Sequence, residues 1–207
     1  MQLDDIRTAV YQRLGTSTSD PNLSSSVLTG LINAGIRSIN LMHDWSWLGT
    51  TDTTLTATVA DQSEYTPASD HRKTLYIRVG DDQLLTYKTE ADLDRLNQSI
   101  GIPRYYTIEN GTIRMFPVPD AVYDIRHVYI NVPADLSADS DVAVIPDWAI
   151  DLLISYVGVR AAARMRDSDL MRIMRDEWTD VYRAMLDETR RSRALPVPQH
   201  RRDIGWT

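Results

Sequence analysis

Histidine, acidic residues and cysteine are the side chains of this 207-residue chain that would bind a metal or transfer protons. The histidines are His43, His71, His127 and His200, and none has the spacing of a His-x-x-x-His or His-Glu-x-x-His helix motif. Cysteine is missing, which excludes thiolate ligands, disulfides and cysteine nucleophiles. We therefore expect no metal and no cofactor.

Motifs for phosphate binding and nucleophilic catalysis are also missing. Nine glycines form no Gly-x-Ser-x-Gly turn, no phosphate-binding loop and no dinucleotide fingerprint. Asp139-Ser140-Asp141 lacks the glycine and the terminal glutamate of a calcium loop, so we interpret it as a solvated turn. A carboxylate pair for glycoside hydrolysis could still assemble in space, which leaves a hydrolase as an alternative. Because no pair stands out, we expect a protein that is not an enzyme.

Charge is distributed unevenly along the chain. The net charge is -7, and residues 190–207 carry five arginines against one aspartate, so residues 1–189 carry -11. An acidic body disfavours duplex DNA binding, which needs a basic surface. The candidate recognition helix is Met171-Arg172-Ile173-Met174-Arg175 with Arg183. Asp176, Glu177 and Asp180 interrupt it, so we expect a solvated helix face, and a small DNA-binding packaging or regulatory protein is the alternative.

Helical periodicity marks both ends of the chain. Apolar residues repeat at helical spacing from Leu3 to Leu14, before the capping Gly15, and again from Val27 to Met42. Pro146 and Asp147 predict a helix start, and Asp167-Ser168-Asp169 predicts the cap of a further helix. Because only a few residues connect these last two predicted helices, we expect them to pack antiparallel. The predicted buried stripes are Trp148, Ala149, Leu152, Leu153, Tyr156, Val157 and Val159 in the first helix and Leu170, Met174, Trp178, Val181, Tyr182, Met185 and Leu186 in the second.

Between these helices the apolar period changes to two, which is typical of strands. Asn110-Gly111 is a strong hairpin signal, and Gly80-Asp81-Asp82 predicts a second hairpin. Thr89 predicts the cap of a short helix reaching about Gln98. Trp45 and Trp47 fit either an aromatic plug or a partner hot spot. The predicted strands cover residues 51–59, a short run ending at Tyr65, and residues 75–79, 84–87, 103–109, 112–116 and 123–132.

These patterns predict an α+β fold with one insertion. An antiparallel helical bundle would be built from residues 1–49 and 134–193, and an antiparallel β lobe of residues 50–133 would be inserted into it. Residues 194–207 would form an extended C-terminal arm, because Pro196 and Pro198 disfavour a helix. We find no apolar run long enough to span a membrane and no signal peptide, so a soluble, unsecreted protein is expected.

The C-terminal arm has the composition of a partner-binding segment. Its arginines can form forked hydrogen bonds with carboxylates, and its apolar residues can act as anchors. A terminal segment without a role is the alternative. The candidate partner-binding residues are Leu195, Pro196, Val197, Pro198, His200, Arg201, Arg202, Ile204 and Trp206.

The order of motifs in the second half of the chain resembles the head-to-tail adaptor proteins of tailed phages. A proline with aromatics precedes a glycine hairpin, an apolar strand ends in Pro-x-Pro-Asp, a tyrosine-rich strand follows, and two helices come last. The resemblance covers roughly residues 1–193. The residues that carry it are Pro103-Arg104-Tyr105-Tyr106, Gly111, Ile113-Arg114-Met115-Phe116-Pro117-Val118-Pro119-Asp120, Tyr123, Tyr129, Leu136 and Pro146.

The resemblance implies a structural virion protein at the head-tail junction, assembled in the host cytoplasm. Such adaptors form a ring, here expected to have twelve copies, beneath the portal protein. They lengthen the DNA channel and dock tail or nozzle components. DNA would pass through the channel without specific binding, and no membrane would be involved. The C-terminal arm matches no family motif residue by residue, so its role rests on its composition and position alone.

Overall fold

The computed structural model describes residues 1–96 and 99–194 and contains helices and two β-sheets. The predicted α+β class is therefore confirmed. The elements in chain order are α1 (Leu3–Leu14), α2 (Ser25–Met42), β1 (Gly49–Thr51), β2 (Glu64–Tyr65), β3 (His71–Val79), β4 (Gln83–Leu84), β5 (Thr86–Tyr87), α3 (Glu90–Asp94), β6 (Tyr105–Glu109), β7 (Thr112–Phe116), β8 (Ile125–Asn131), α4 (Ile150–Met165) and α5 (Ser168–Ala194).

Two compact units divide the chain. One comprises Met1–Ile39 together with the described residues from Asp135 on, and the other comprises Asn40–Ala134. We call them the helical unit and the β unit. In the helical unit, α1 ends at Gly15, whose φ of 65° is the left-handed conformation of a helix C-cap. The fully buried residues of its core include Leu3, Ile6, Val10, Leu28, Ile32, Leu152, Leu153, Val157, Ala161 and Ala162.

Gly35 is the position where α2 approaches α4 closely. A Cβ atom added at Gly35 would lie 2.9 Å from Leu153 Cδ1 and 3.1 Å from Val157 Cγ2. Both contacts are tighter than ordinary van der Waals packing, so any larger residue must displace core side chains. Gly30 lies on the same helix, and a Cβ atom there would meet nothing within 4 Å.

We expect Gly35→Ala to lower the free energy of unfolding by about 1 to 3 kcal/mol, because it overpacks the contact between α2 and α4. The matched control Gly30→Ala should raise it by roughly 0.8 kcal/mol through helix propensity. Urea unfolding followed by circular dichroism measures both. Equal effects of the two substitutions would contradict the close approach at Gly35.

Helices α4 and α5 form an antiparallel pair. A Cβ atom at Gly158 would meet Met174 Sδ at 2.9 Å, and the rings of Tyr156 and Trp178 lie 5.8 Å apart. The turn between them is closed by Arg166, whose φ of 61° is left-handed, and by Asp167, which accepts a hydrogen bond from Leu170 N at 2.9 Å. This is the cap predicted at Asp167.

Three details of the predicted helices are wrong. Pro146 precedes the helical residues, because a 3-10 turn over Asp147–Ala149 comes before α4. Trp148 lies in that turn and is 66% exposed, so it does not belong to the buried stripe. Trp178 is half-buried and stacks on Tyr182, because α5 packs only one side against α4 and leaves much of its stripe at the boundary of the core.

The β unit contains two four-stranded sheets, ordered β1-β8-β3-β4 and β2-β7-β6-β5. Both sheets contribute to one apolar core, since Ile77 and Ile125 come from the first sheet and Tyr106, Ile113 and Met115 from the second. The remaining buried members of this core are Leu55, Tyr65, Val79 and Leu85.

Several predicted features of the β unit are confirmed. β6 and β7 pair in the register Glu109↔Thr112, and the turn residues Asn110 and Gly111 have φ values of 50° and 76°. β3 and β4 form the hairpin around Gly80. Thr89 accepts a hydrogen bond from Asp92 N and caps α3, which ends at Asp94, short of the predicted end near Gln98; Gln98 itself lies outside the described residues.

Two other predictions for the β unit are wrong. The strand predicted over residues 51–59 shortens to β1 and a single bridge at Ala57, because Asp52 binds the backbone N–H groups of Thr54 and Leu55 and turns the chain. The sheets are not wholly antiparallel, since β5 and β6 pair in parallel. Such a pair needs a crossover connection, and the segment containing α3 supplies it.

Candidate functional site

Asp52 is the centre of a buried polar network in the β unit. Its side chain is fully buried and accepts hydrogen bonds from Thr54 N, Thr54 Oγ1 and Leu55 N at 2.6 to 3.0 Å. Ala68 N at 3.0 Å and His127 Nδ1 at 3.1 Å donate to its second oxygen. Burial alone would raise the pKa of Asp52, but these hydrogen bonds outweigh it and hold that pKa well below its usual range. Asp52 is therefore an ionised carboxylate that accepts five hydrogen bonds.

The ionised carboxylate fixes the proton positions in the rest of the network. His127 must donate its Nδ1–H to Asp52, so in a neutral His127 the Nε2 atom is unprotonated and can accept a hydrogen bond. That atom lies 2.9 Å from Thr74 Oγ1, which therefore donates to it. His71 Nε2 lies 2.9 Å from the same hydroxyl and donates its own N–H. The pKa values of His71 and His127 are both lowered, chiefly by burial, so both imidazoles favour the neutral form.

The Asp52-His127-Thr74 arrangement has the composition of a nucleophilic triad, but its geometry favours a structural role. His127 is fully buried, and the Thr74 hydroxyl is engaged by two histidines, since it donates to His127 Nε2 and accepts from His71 Nε2. Tyr129, whose ring stacks on His127, donates to Asp70 at 2.6 Å. The network ties β3 and β8 to the chain that follows β1. The sequence did not reveal it, because Asp52 and His127 are 75 residues apart.

Mild acid should destabilise the β unit through this network. The pKa values of His71 and His127 are lowered from about 6.5, so the unfolded chain binds more protons below that pH and stability falls as the pH drops. Below about pH 4 the contribution of Asp52 is lost as well. Urea unfolding at pH 7, 6 and 5 should show this decline. His127→Asn keeps an N–H donor toward Asp52 but does not titrate in this range, so the free energy of unfolding should decline less steeply with falling pH. An unchanged slope would show that His127 is not a source of the acid sensitivity.

The predicted partner-binding residues all lie outside the described part of the chain, which ends at Ala194. They are Leu195, Pro196, Val197, Pro198, His200, Arg201, Arg202, Ile204 and Trp206. Ala194, predicted as the first residue of the C-terminal arm, is instead the last residue of α5. His200 likewise lies outside, so the remaining histidines are His43, His71 and His127.

The candidate recognition helix has a mixed charge. Met174 is buried against α4, and Met171 is half-buried, so this stretch contributes Arg172, Ile173 and Arg175 to the surface. Asp176 and Asp180 are exposed beside them, and Glu177 binds Arg13 at 2.9 Å. This is the expected solvated face and not a continuous basic surface.

Trp45 and Trp47 stack with ring centroids 4.7 Å apart and an interplanar angle of 9°. Trp45 is buried and Trp47 half-buried, so the packing interpretation is confirmed for Trp45. Exposed apolar side chains occur elsewhere. In the helical unit they are Val142, Trp148 and Ile173, and in the β unit they include Leu41, Val59, Leu75, Leu84, Tyr87, Ile100, Ile102 and Val122.

Concavities in the β unit are small. One of about 180 Å³ is lined by residues including Leu93, Arg114 and Phe116, and one of about 230 Å³ by Glu64, Glu90 and Glu109 among others. Small-molecule sites typically enclose about 300 to 1,000 Å³. Within residues 1–96 and 99–194, no three metal-ligating side chains come together. Over the same residues, no helix combines the length and apolar character needed to cross a bilayer.

Comparison with known proteins defines the class of this protein. The sequence model of the SU10 adaptor protein family matches residues 1–202, and the chain belongs to this family. It is accordingly a phage head-to-tail adaptor, a structural component of the virion. No curated protein matched the chain.

Proposed function

We propose that this adaptor forms a ring of twelve copies beneath the portal, lengthens the DNA channel and docks a tail or nozzle protein. The observation that carries the proposal is the family match over residues 1–202. The assembled ring would lie at the head-tail junction after assembly in the host cytoplasm. The helices from both chain ends would form the bundle, with the β unit as an insertion.

The surface chemistry supports a ring. A closed ring of identical copies uses two different faces of each subunit, and each face needs apolar anchors. Trp148 in the turn before α4 and Ile173 on α5 are exposed at different places of the helical unit. These residues are candidates for such anchors.

The charge of the chain supports a conduit. Residues 1–189 carry -11, and negative channel walls repel phosphate, so DNA can slide without being held. The mixed charge of α5 gives the DNA-binding alternative no continuous basic surface. No described contact or cavity favours a hydrolase.

The C-terminal arm would strengthen assembly by contacting the portal or a neighbouring subunit. Pro196 and Pro198 stiffen the segment, which lowers the entropy lost on ordering. Arg201 and Arg202 can pair with carboxylates, and Ile204 and Trp206 can fill apolar sites. A basic segment on an otherwise acidic chain fits such contacts.

Truncation after Ala194 tests this proposal. Removing residues 195–207 should change the thermal unfolding midpoint of the free protein by less than about 2 °C, because the proline-rich, polar composition of this segment disfavours a helix or a core. The truncation should abolish co-sedimentation of the adaptor with purified portal. It should also abolish the adaptor rings that electron microscopy detects with the full-length chain. The control is the full-length chain with Gln199→Ala. Unaltered docking of the truncated chain would show that the arm is dispensable, and the absence of rings from the full-length chain with portal would contradict the ring.

A further inference from the structure

One corner of the helical unit presents apolar side chains to solvent. Gln2 and Val142 form an antiparallel bridge, Leu3 N donates to Asp141 O at 2.9 Å, and Ala143 N donates to Met1 O at 3.1 Å. The Met1 amino group lies 2.5 Å from Asp147. These contacts hold Val142, 63% exposed, and Trp148, 66% exposed, on the same corner. We call Met1, Gln2, Val142, Asp147 and Trp148 the Trp148 corner.

The surroundings of the Trp148 corner are acidic. The two segments that build it, residues 1–14 and 139–151, contain six aspartates against two arginines and the Met1 amino group, a net charge of -3. The side chains of Asp4, Asp139, Asp147 and Asp151 are all more than 60% exposed. Arg7 and Arg13 pair with three of them and leave an excess of negative charge. A ligand for this corner should be apolar and basic.

Helix α5 leaves the helical unit at the same end. Gly158 faces Met174 and Tyr156 faces Trp178, so continuing the antiparallel pair places Met185 about level with Trp148. Met185 is buried, and α5 continues to Ala194, roughly 13 Å farther at 1.5 Å per residue. The chain from residue 195 on therefore starts roughly 13 Å beyond the level of the Trp148 corner, a distance that a 13-residue segment can span.

We propose that residues 195–207 of one copy dock on the Trp148 corner of a neighbouring copy. This inference rests on the proposed ring. Trp206 and Ile204 pack against Trp148 and Val142, while Arg201 and Arg202 bind the surrounding aspartates. The arginines supply the positive charge that the corner lacks, and the apolar pair covers the exposed parts of the Val142 and Trp148 side chains.

A neighbouring copy suits this contact better than the same copy. The two prolines at 196 and 198 favour an extended path that continues outward from α5. A return to the same corner would require the chain to reverse direction and retrace the roughly 13 Å by which α5 extends past that level. Thirteen extended residues span at most about 45 Å, which is enough to reach the next subunit of a ring.

Disulfide trapping tests the contact in the full-length chain, which has no cysteine of its own. Asp147→Cys combined with Gly205→Cys should give, in rings assembled with portal, a ladder of covalent oligomers under mild oxidation. The matched control combines Ile173→Cys, an exposed position on α5, with Gly205→Cys and should cross-link at least fivefold more slowly. Adding Trp148→Ser to the Asp147→Cys, Gly205→Cys variant should slow its cross-linking by about the same fivefold factor, because the apolar contact is lost.

Other results overturn the proposal. A disulfide within single chains assigns the arm to its own corner, and equal rates for the Asp147 and Ile173 pairs show that the arm has no preferred site. If rings form but no disulfide appears, the Trp148 corner is not the docking site, and the proposed adaptor ring is still supported. If neither rings nor disulfides form with portal, both the ring and the docking site fail.

Discussion

Replacing Asp52 by alanine is expected to lower the free energy of unfolding by about 4 kcal/mol. The carboxylate accepts five hydrogen bonds in a fully buried site, and its removal leaves the N–H groups of Leu55 and Ala68 and the His127 ring without their acceptor. Each buried donor that loses its acceptor costs about 1 to 3 kcal/mol, and several donors are left unpaired here. Urea unfolding followed by tryptophan fluorescence measures the loss.

Two further substitutions show whether the effect comes from these hydrogen bonds. Asp52→Asn keeps one acceptor oxygen but turns an amide toward donors, so it should remain destabilising by roughly half as much. Asp82→Ala removes an exposed carboxylate from the same unit and should change stability by less than about 0.5 kcal/mol. Similar losses for Asp52→Ala and Asp82→Ala would rule out the network as a source of stability.

The second large effect is expected at Asn33 in the helical unit. Its side chain, 9% exposed, donates from Nδ2 to Leu136 O and accepts from Leu136 N, both at 2.9 Å. Asn33→Ala leaves both backbone groups unpaired in a buried site, and we expect a loss of about 3 kcal/mol. The contact holds the loop before α4 against α2.

The control for Asn33 is Asn22→Ala, because Asn22 has an exposed side chain in the same unit and its backbone oxygen still accepts from Arg164. Thermal unfolding by calorimetry compares the two. A loss below about 1 kcal/mol at Asn33 would mean that water replaces the side chain in binding Leu136.

The features that the sequence predicted correctly are set by neighbouring residues. Gly15 ends α1 because glycine adopts the left-handed conformation without strain, and Asn110-Gly111 fixes the β6–β7 register for the same reason. Thr89 caps α3 through its own side chain. Each of these signals acts over a few residues, so a single sequence is sufficient to read them.

The features that the sequence missed depend on distant partners. Asp52 was assigned to an alternating strand, because its partner His127 comes 75 residues later. Trp148 fits a helical stripe by spacing, yet the 3-10 turn before α4 rotates it to the surface. The parallel pairing of β5 with β6 follows from a crossover that no local pattern encodes. The residues predicted to bind partners remain a prediction.

The construction of the helical unit from both chain ends has a consequence during synthesis. The β unit, residues 40–134, is continuous in sequence and can complete its core as soon as it leaves the ribosome. Helix α2 must wait for Leu153 and Val157, which contact Gly35 and follow it by more than 110 residues. At about 5 to 20 residues per second, that wait lasts about 6 to 24 s. Nascent chains therefore expose the apolar faces of α1 and α2 until α4 emerges, and subunits become competent for assembly only after α4 has been translated.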